Sequence, residues 1–189
     1  MTGPRDIVAR HLDRSGAILL RALEPLDDGE FYAENASGYS AAWAAGHLAA
    51  VCDLLSSWFD TGPLQFDELF HRVFNDTAAQ VRPGGVPAGA TVAGKARQAV
   101  YYPKADLLQR FEQAVTRALR VLAAFDVTQW DAPGPPGTPL SLATGGAVWE
   151  HLAVHAYWHC GELAGAMPRF HGTYTLNPMS HYFYAPPED

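Results

Sequence analysis

The sequence predicts an all-α fold, a four-helix bundle with a long crossover between its second and third helices. Four segments repeat apolar residues at the spacings of three and four that line one face of a helix. Prolines and glycines stand at the ends of these segments, where they start or stop helices. About forty residues, 61–102, separate the second segment from the third, and a connection of that length permits a crossover.

The first helix is predicted over residues 4–23. Pro4 is tolerated in the first turn, because the backbone N–H that it lacks would have no partner there. Pro25 ends the helix, since its ring clashes with the preceding turn. The apolar face consists of Val8, Leu12, Leu19, Ala22 and Leu23.

The second helix is predicted over residues 40–59, with Ser40 as its N-cap. The pair Gly62-Pro63 follows and ends it. Its inner stripe consists of Trp43, His47, Val51, Leu54 and Trp58. One histidine is therefore expected among the large apolar residues that face the core.

The third helix is predicted over residues 104–125, after a start signal at Pro103, and the fourth over residues 146–167. Thr144 is the expected cap of the fourth helix, and Pro168 ends it. The apolar face of the third consists of Leu107, Leu108, Phe111, Val115, Leu119 and Leu122. The inner stripe of the fourth consists of Val148, Leu152, His155, His159 and Leu163.

The long connection, 61–102, carries weaker signals. Apolar residues at helical spacing predict a short helix within 64–80, and another is predicted within 91–99. The stretch 82–90 between them is rich in Pro and Gly, and its composition predicts a loop.

Length, charge and cysteine content narrow the class of protein. We expect one domain over residues 1–170 and an aromatic tail, 171–189, that packs on the bundle or on a partner subunit. A net charge of −7 without any basic run argues against nucleic acid as a partner. No apolar stretch is long enough for a membrane helix, and the first residues lack the apolar region of a signal peptide. With Cys52 and Cys160 as the only cysteines, reduced thiols and a cytoplasmic location are expected.

Three histidines form the candidate metal site. His155 and His159 are four residues apart, so their side chains lie about 40° apart around the helix and roughly 6 Å apart along it. Such a pair alone is more often two hydrogen-bonded residues than a metal site. Both lie on an apolar stripe, however, where an unpartnered imidazole costs free energy, and His47 adds a third ligand from another helix. Three protein ligands leave one position open, as in catalytic metal centres.

His151 complicates this assignment, because it stands four residues before His155. His151 and His159 are about 80° out of phase and about 12 Å apart along the axis. The side chains of His151, His155 and His159 cannot readily all reach one ion. Spacing alone therefore leaves open which of the two joins His155.

Three passages of the chain resemble the DinB/YfiT-like superfamily of four-helix bundles. Residues 43–48 (Trp-Ala-Ala-Gly-His-Leu) are similar to a segment of the family's second helix that ends in Gly-His-Leu. Residues 102–108 (Tyr-Pro-Lys-Ala-Asp-Leu-Leu) are similar to the start of its third helix. Residues 155–162 (His-Ala-Tyr-Trp-His-Cys-Gly-Glu) are similar to its pattern His-x-x-x-His-Arg-Gly-Gln. The resemblance covers about residues 5–170.

The resemblance implies that His47, His155 and His159 bind a divalent metal ion, usually zinc or nickel. It also implies thiol-dependent chemistry, because some relatives transfer or isomerise substrates with a low-molecular-weight thiol such as mycothiol or bacillithiol. Cys160 and Glu162 stand where the family often has Arg and Gln, and the connection after the second helix is longer than expected. The substrate is therefore not carried over from any one member.

The sequence leaves three functions open: a metal-dependent thiol S-transferase, a metal-dependent hydrolase and a non-enzymatic metal-containing stress or binding protein. Glu162 lies three residues after His159 and is the candidate catalytic residue, as a general base, a fourth ligand or an orienter of a ligand. A carboxylate on the helix surface is an equally good interpretation. Either enzyme would act on a small molecule, and the aromatic, apolar composition favours a homodimer.

Overall fold

Six α-helices form the part of the chain that the structure describes. The structure is a computed structural model that describes residues 3–34, 40–60, 62–74, 102–134 and 142–166. The helices are α1 (Pro4–Leu23), α2 (Asp28–Tyr32), α3 (Ala41–Ser57), α4 (Glu68–Phe74), α5 (Lys104–Ala124) and α6 (Gly145–Ala166). A short 3-10 turn, Val127–Gln129, follows α5. Within these ranges the only β-pairing is an isolated bridge between Pro133 and Thr144, so the all-α prediction is confirmed.

The four long helices, α1, α3, α5 and α6, coincide with the four predicted segments to within two residues at each end. Hydroxyl caps explain this agreement at the starts of α3 and α6. The Ser40 hydroxyl accepts from the backbone N–H of Trp43 at 3.0 Å, and the Thr144 hydroxyl accepts from that of Ala147 at 3.1 Å. Each bond satisfies an N–H that the first turn of a helix leaves without an intrahelical partner.

Helices α3 and α5 pack against each other and run in the same direction. The Asp53 carboxylate on α3 accepts from the Arg117 guanidinium on α5, and Phe59 beyond the end of α3 contacts Phe125 beyond the end of α5 at 5.1 Å between ring centroids. Parallel neighbours need a long connection between them. Of the predicted crossover, residues 62–74 are described, whereas residues 75–101, which include the predicted helix 91–99, lie outside the described ranges.

Helix α6 runs opposite to α3, and this brings its second half beside the first half of α3. The Phe59 ring lies 5.2 Å from the Trp149 ring at one end of the pair, whereas the His47 ring lies 5.1 Å from the His159 ring near the other. The antiparallel packing therefore juxtaposes the histidines of the two predicted inner stripes.

Helix α3 is the central helix of the bundle. Fifteen of its seventeen residues are buried, which is far more than the single stripe that the sequence predicted. Leu54, a member of that predicted stripe, is only half-buried, while Leu55 is buried. The cause is composition: small alanine side chains around most of α3 let neighbouring helices approach it from several sides.

Two short helices complete the described fold. Helix α2 was not predicted from the sequence, although the Asp27 carboxylate and Glu30 form a reciprocal capping box at its start. Helix α4 lies inside the predicted segment 64–80 and presents Phe70 and Phe74, both fully buried, to the core. Across the described ranges no helix has the length and hydropathy needed to cross a membrane. The tail, 171–189, lies outside them.

Candidate metal centre

His47, His155 and His159 meet at one point between α3 and α6. A ligand nitrogen from each lies within 4.8 Å of the other two. The Nε2 atom of His155 is 3.3 Å from that of His47 and 3.1 Å from that of His159. Tetrahedral zinc with Zn–N bonds of about 2.0–2.1 Å requires ligand nitrogens roughly 3.3 Å apart. The three-histidine group therefore has the spacing of a metal site.

The His47 ring is held by the backbone and by an aromatic neighbour. Its Nδ1–H donates to the carbonyl oxygen of Phe74 at 2.6 Å, because a carbonyl can only accept. The Trp43 ring stacks on it at 4.6 Å and 9° between planes. With the proton on Nδ1, the Nε2 lone pair is directed at the meeting point, as a metal ligand requires.

The His159 ring is held by Glu162 in the same way. Its Nδ1–H donates to one carboxylate oxygen at 2.7 Å, and the Trp158 indole N–H donates to the other at 2.8 Å. The carboxylate thus lies behind the imidazole, on the side away from the meeting point. This is the geometry of a carboxylate that orients a metal-binding histidine, one of the three roles that the sequence left open for Glu162.

His155 lies between the other two rings, and no hydrogen bond to its Nδ1 orients it within the described residues. Its Nδ1 is buried and has no hydrogen-bond partner among the residues that the structure describes. Burial, followed by the smaller effects of the neighbouring histidines His47, His159 and His151, lowers the pKa of His155 to about 2. Burial also lowers the pKa of His159, against the opposing effect of Glu162. Near neutral pH these two rings are therefore uncharged and able to act as ligands.

The three Nε2 atoms that meet here have too few protons to hydrogen-bond with one another, and a bound cation would remove this shortage. Because His47 and His159 each carry their proton on Nδ1, both present a lone pair at Nε2. The single proton available to His155 Nε2 can satisfy only one of these two acceptors well. A divalent cation at the meeting point would accept all three lone pairs, so the residues present fit a metal ion.

His151 is not part of this group. It is exposed, and its ring lies 4.9 Å from that of His155 on the preceding turn of α6. The histidines whose ligand nitrogens converge are therefore His47, His155 and His159, and His151 lies outside this group. The His11 ring lies 6.1 Å from the Tyr157 ring, measured between centroids. His171 and His181 lie outside the described residues.

A buried ionic cluster surrounds Asp53 and was not predicted from the sequence. The Asp53 carboxylate is fully buried and accepts from His71 at 2.9 Å and from Arg117 at 2.6 Å. It also accepts from the backbone N–H groups of Gln65 at 3.0 Å and Phe66 at 3.2 Å. Burial raises the pKa of Asp53, but these hydrogen bonds outweigh it and the pKa is lowered. The only signal in the sequence was one acidic residue on an alanine-rich helix.

Both cysteines are buried and free of disulfide bonds. Burial raises the pKa of Cys52 to about 12, with a smaller contribution from Asp53, and burial also raises the pKa of Cys160 to about 12. Both thiols are therefore protonated at neutral pH. A protonated, buried thiol is a poor nucleophile, which agrees with a packing role.

The fold and the site together define a helical bundle with a three-histidine group that could hold a metal ion. A sequence profile of the DinB superfamily matches residues 11–163, which include all three histidines. The chain belongs to the DinB superfamily. Searches of curated proteins and of solved structures found no significant match.

Proposed function

We infer that this chain is a metal-dependent S-transferase that uses a low-molecular-weight thiol, with His47, His155 and His159 as ligands. The observation that carries the proposal is the convergence of three Nε2 atoms, with that of His155 at 3.1 Å from His159 and 3.3 Å from His47. Zinc or nickel is the proposed ion, and the nitrogen spacing agrees with zinc–imidazole bond lengths. The thiol is inferred from the resemblance of residues 155–162 to the corresponding family pattern.

The neutral ligands suit the activation of a thiol. A divalent ion held by His47, His155 and His159 as uncharged imidazoles would keep its full charge and would lower the pKa of a thiol bound to it. The chain's own residues hold and orient: Phe74 and Glu162 fix the rings of His47 and His159 through their Nδ1 atoms. Trp43 covers the His47 ring and contacts the His159 ring at 5.7 Å, which limits access of water to that side.

The thiol would come from a substrate rather than from the protein. The chain has two cysteines in all, and both are buried with a pKa of about 12. Neither can supply a thiolate near neutral pH. A small thiol that binds at the open position is therefore the nucleophile that we propose.

The hydrolase alternative has less support from the same geometry. Metal-assisted hydrolysis benefits from a general base beside the metal-bound water. Both oxygens of Glu162 are already engaged, by His159 and by Trp158. Its carboxylate lies behind His159 and is poorly placed to accept a proton from such a water.

Metal analysis of the purified protein is the first experiment. We expect one equivalent of zinc or nickel in the wild type, less than a tenth of that in His47→Ala and His159→Ala, and an unchanged amount in His151→Ala, the matched control. The second experiment incubates the loaded protein with a chromogenic electrophile and a panel of small thiols. We expect thiol-dependent conjugation that the His159→Ala variant lacks.

Each other outcome points to a different conclusion. Metal content that is absent, or unaffected by His47→Ala and His159→Ala, would refute the centre itself. Stoichiometric metal without conjugation would favour a binding protein. Thiol-independent cleavage of esters or amides would favour the hydrolase.

A further inference from the structure

Helix α4 connects the buried Asp53 cluster to the metal ligand on α3. We propose that Asp53 and His71 are positioning residues for the metal centre: they hold α4 so that its last carbonyl group orients His47. The proposal rests on the proposed function in so far as His47 is a metal ligand. The hydrogen bond that it invokes is a property of the metal-free protein as well.

Helix α4 cannot hold its own position. It has seven residues, Glu68–Phe74, and helices this short are unstable without tertiary contacts. Its last carbonyl groups have no partners within the helix and carry the partial negative charge of the helix C-terminus. The carbonyl oxygen of Phe74 is one of these groups, and it accepts the His47 Nδ1–H at 2.6 Å. The orientation of His47 thus depends on where α4 ends.

Two hydrogen bonds tie α4 to α3. In the first hydrogen bond, His71 donates from Nε2 to the Asp53 carboxylate at 2.9 Å. In the second hydrogen bond, the His47 Nδ1–H donates to the carbonyl oxygen of Phe74. Asp53 and His47 lie on the same rigid helix, six residues and roughly 9 Å apart. His71 and Phe74 lie within one turn of α4, so the two bonds position the same C-terminal turn.

The packing of α4 against Gly46, next to His47, also brings the end of α4 close to the imidazole. Gly46 precedes His47, and a Cβ atom at Gly46 would lie 2.6 Å from Cζ of Phe74. The Phe74 ring is fully buried against the α3 backbone at this point. Only a glycine lets α4 approach closely enough for its last carbonyl to reach the imidazole.

Asp53 also pairs with Arg117 on α5, so a purely structural role in joining helices is the competing explanation. The two explanations differ in what the loss of His71 does. If the cluster only joins helices, the loss lowers stability and leaves the metal site of the folded protein unchanged. If the cluster positions α4, the loss also disturbs His47.

The experiment compares three substitutions at His71 with a control. His71→Leu and His71→Asn remove the bond to Asp53, since an Asn amide is too short to occupy the place of Nε2. His71→Gln can place an amide nitrogen there and is expected to rescue. Val8→Ala removes buried methyl groups from α1 and controls for a general loss of stability.

Two quantities are measured on each folded variant. Competition of Zn²⁺ with a chromophoric chelator gives the metal affinity, which we expect to fall roughly 10–100-fold in His71→Leu and His71→Asn, as for other lost supports of metal ligands. His71→Gln and Val8→Ala are expected to stay within about threefold of the wild type, because the orientation of His47 is kept. NMR of the metal-free protein with ¹⁵N-labelled histidine reports the His47 Nδ1–H directly. Its signal should persist in the wild type and His71→Gln and be lost or shifted in His71→Leu.

The two readouts separate the two proposals. A wild type that binds no Zn²⁺ would refute the metal centre, while the NMR signal would still test the positioning of His47. Wild-type affinity and an unchanged His47 signal in both His71→Leu and His71→Asn would overturn the positioning role. A loss of affinity in Val8→Ala as large as in His71→Leu would overturn it as well.

Discussion

Replacement of Gly46 by alanine tests the contact between α3 and α4 from the α3 side. The new Cβ would lie 2.6 Å from Cζ of Phe74, whereas carbon atoms in contact prefer about 3.5–4.0 Å. The Phe74 ring is fully buried and packed 4.7 Å from the Phe70 ring, so it has little free space to move into. Phe74 must therefore shift by roughly 1 Å.

That shift has two measurable consequences. Overpacking of a core costs about 1–3 kcal/mol, and the gain from alanine over glycine within a helix is about 1 kcal/mol. We therefore expect a net loss of about 0–2 kcal/mol in the free energy of unfolding. The hydrogen bond from His47 to the Phe74 carbonyl, 2.6 Å in length, would stretch beyond the limit for such bonds. Metal affinity should then fall roughly 10–100-fold.

Urea denaturation of the metal-free protein and Zn²⁺ competition measure these two effects. Gly161→Ala is the matched control, because a Cβ atom at Gly161, also within a long helix, would meet no atom within 4 Å. This control should gain up to about 1 kcal/mol in stability and keep its metal affinity. If Gly46→Ala behaves like Gly161→Ala in both measurements, the contact with Phe74 does not position the ligand, and the reasoning is refuted.

Three further predictions follow from the described geometry. The folded-state pKa values of His155 and His159 lie below their ordinary 6.5, so the unfolded chain binds more protons below that pH. The stability of the metal-free protein should therefore be constant between about pH 7 and pH 8 and fall below about pH 6.5 by up to about 1.4 kcal/mol per pH unit for each histidine. Urea titrations across this range should show that fall, and a flat profile would contradict the buried, neutral state of the two rings. Glu162→Gln retains an oxygen that can accept from His159 and should lower Zn²⁺ affinity only a few-fold, whereas Glu162→Ala should lower it roughly 10–100-fold; equal effects would exclude the hydrogen bond as the cause. Ile7 and Val154 are exposed on one face of α1 and α6, and we propose this face as the homodimer interface. Val154→Glu should then give a monomer in sedimentation analysis. A dimer that persists in this variant would show that the interface lies elsewhere.

Much of the fold follows from local patterns in the sequence. The helical periodicity of Leu12 and Leu19, the hydroxyl caps at Ser40 and Thr144, and the prolines at helix boundaries each act within a few residues of the chain. Such signals specify where a helix begins and ends because its hydrogen bonds join residues four apart. The spacing of His155 and His159 belongs to the same class, since four residues on a helix always place two side chains on one face.

Helix α4 marks the limit of that reasoning. The spacing of Phe70 and Phe74 predicted a short helix, but no local pattern specified that its last carbonyl group would contact His47. The bond joins residues 27 apart in the chain. Its existence depends on how α4 packs against Gly46, and that packing is decided by the shape of the assembled core.

The partners of the polar residues were decided by tertiary structure as well. No local pattern predicted a role for His71 or Asp53, yet His71 Nε2 lies 2.9 Å from the Asp53 carboxylate inside the bundle. The sequence by itself determined four helices and a pair of inward-facing histidines on the last of them. Periodicity also predicted His47 on an inner stripe, but only the antiparallel packing of α3 against α6 brings its ring to that of His155, 108 residues away in the chain.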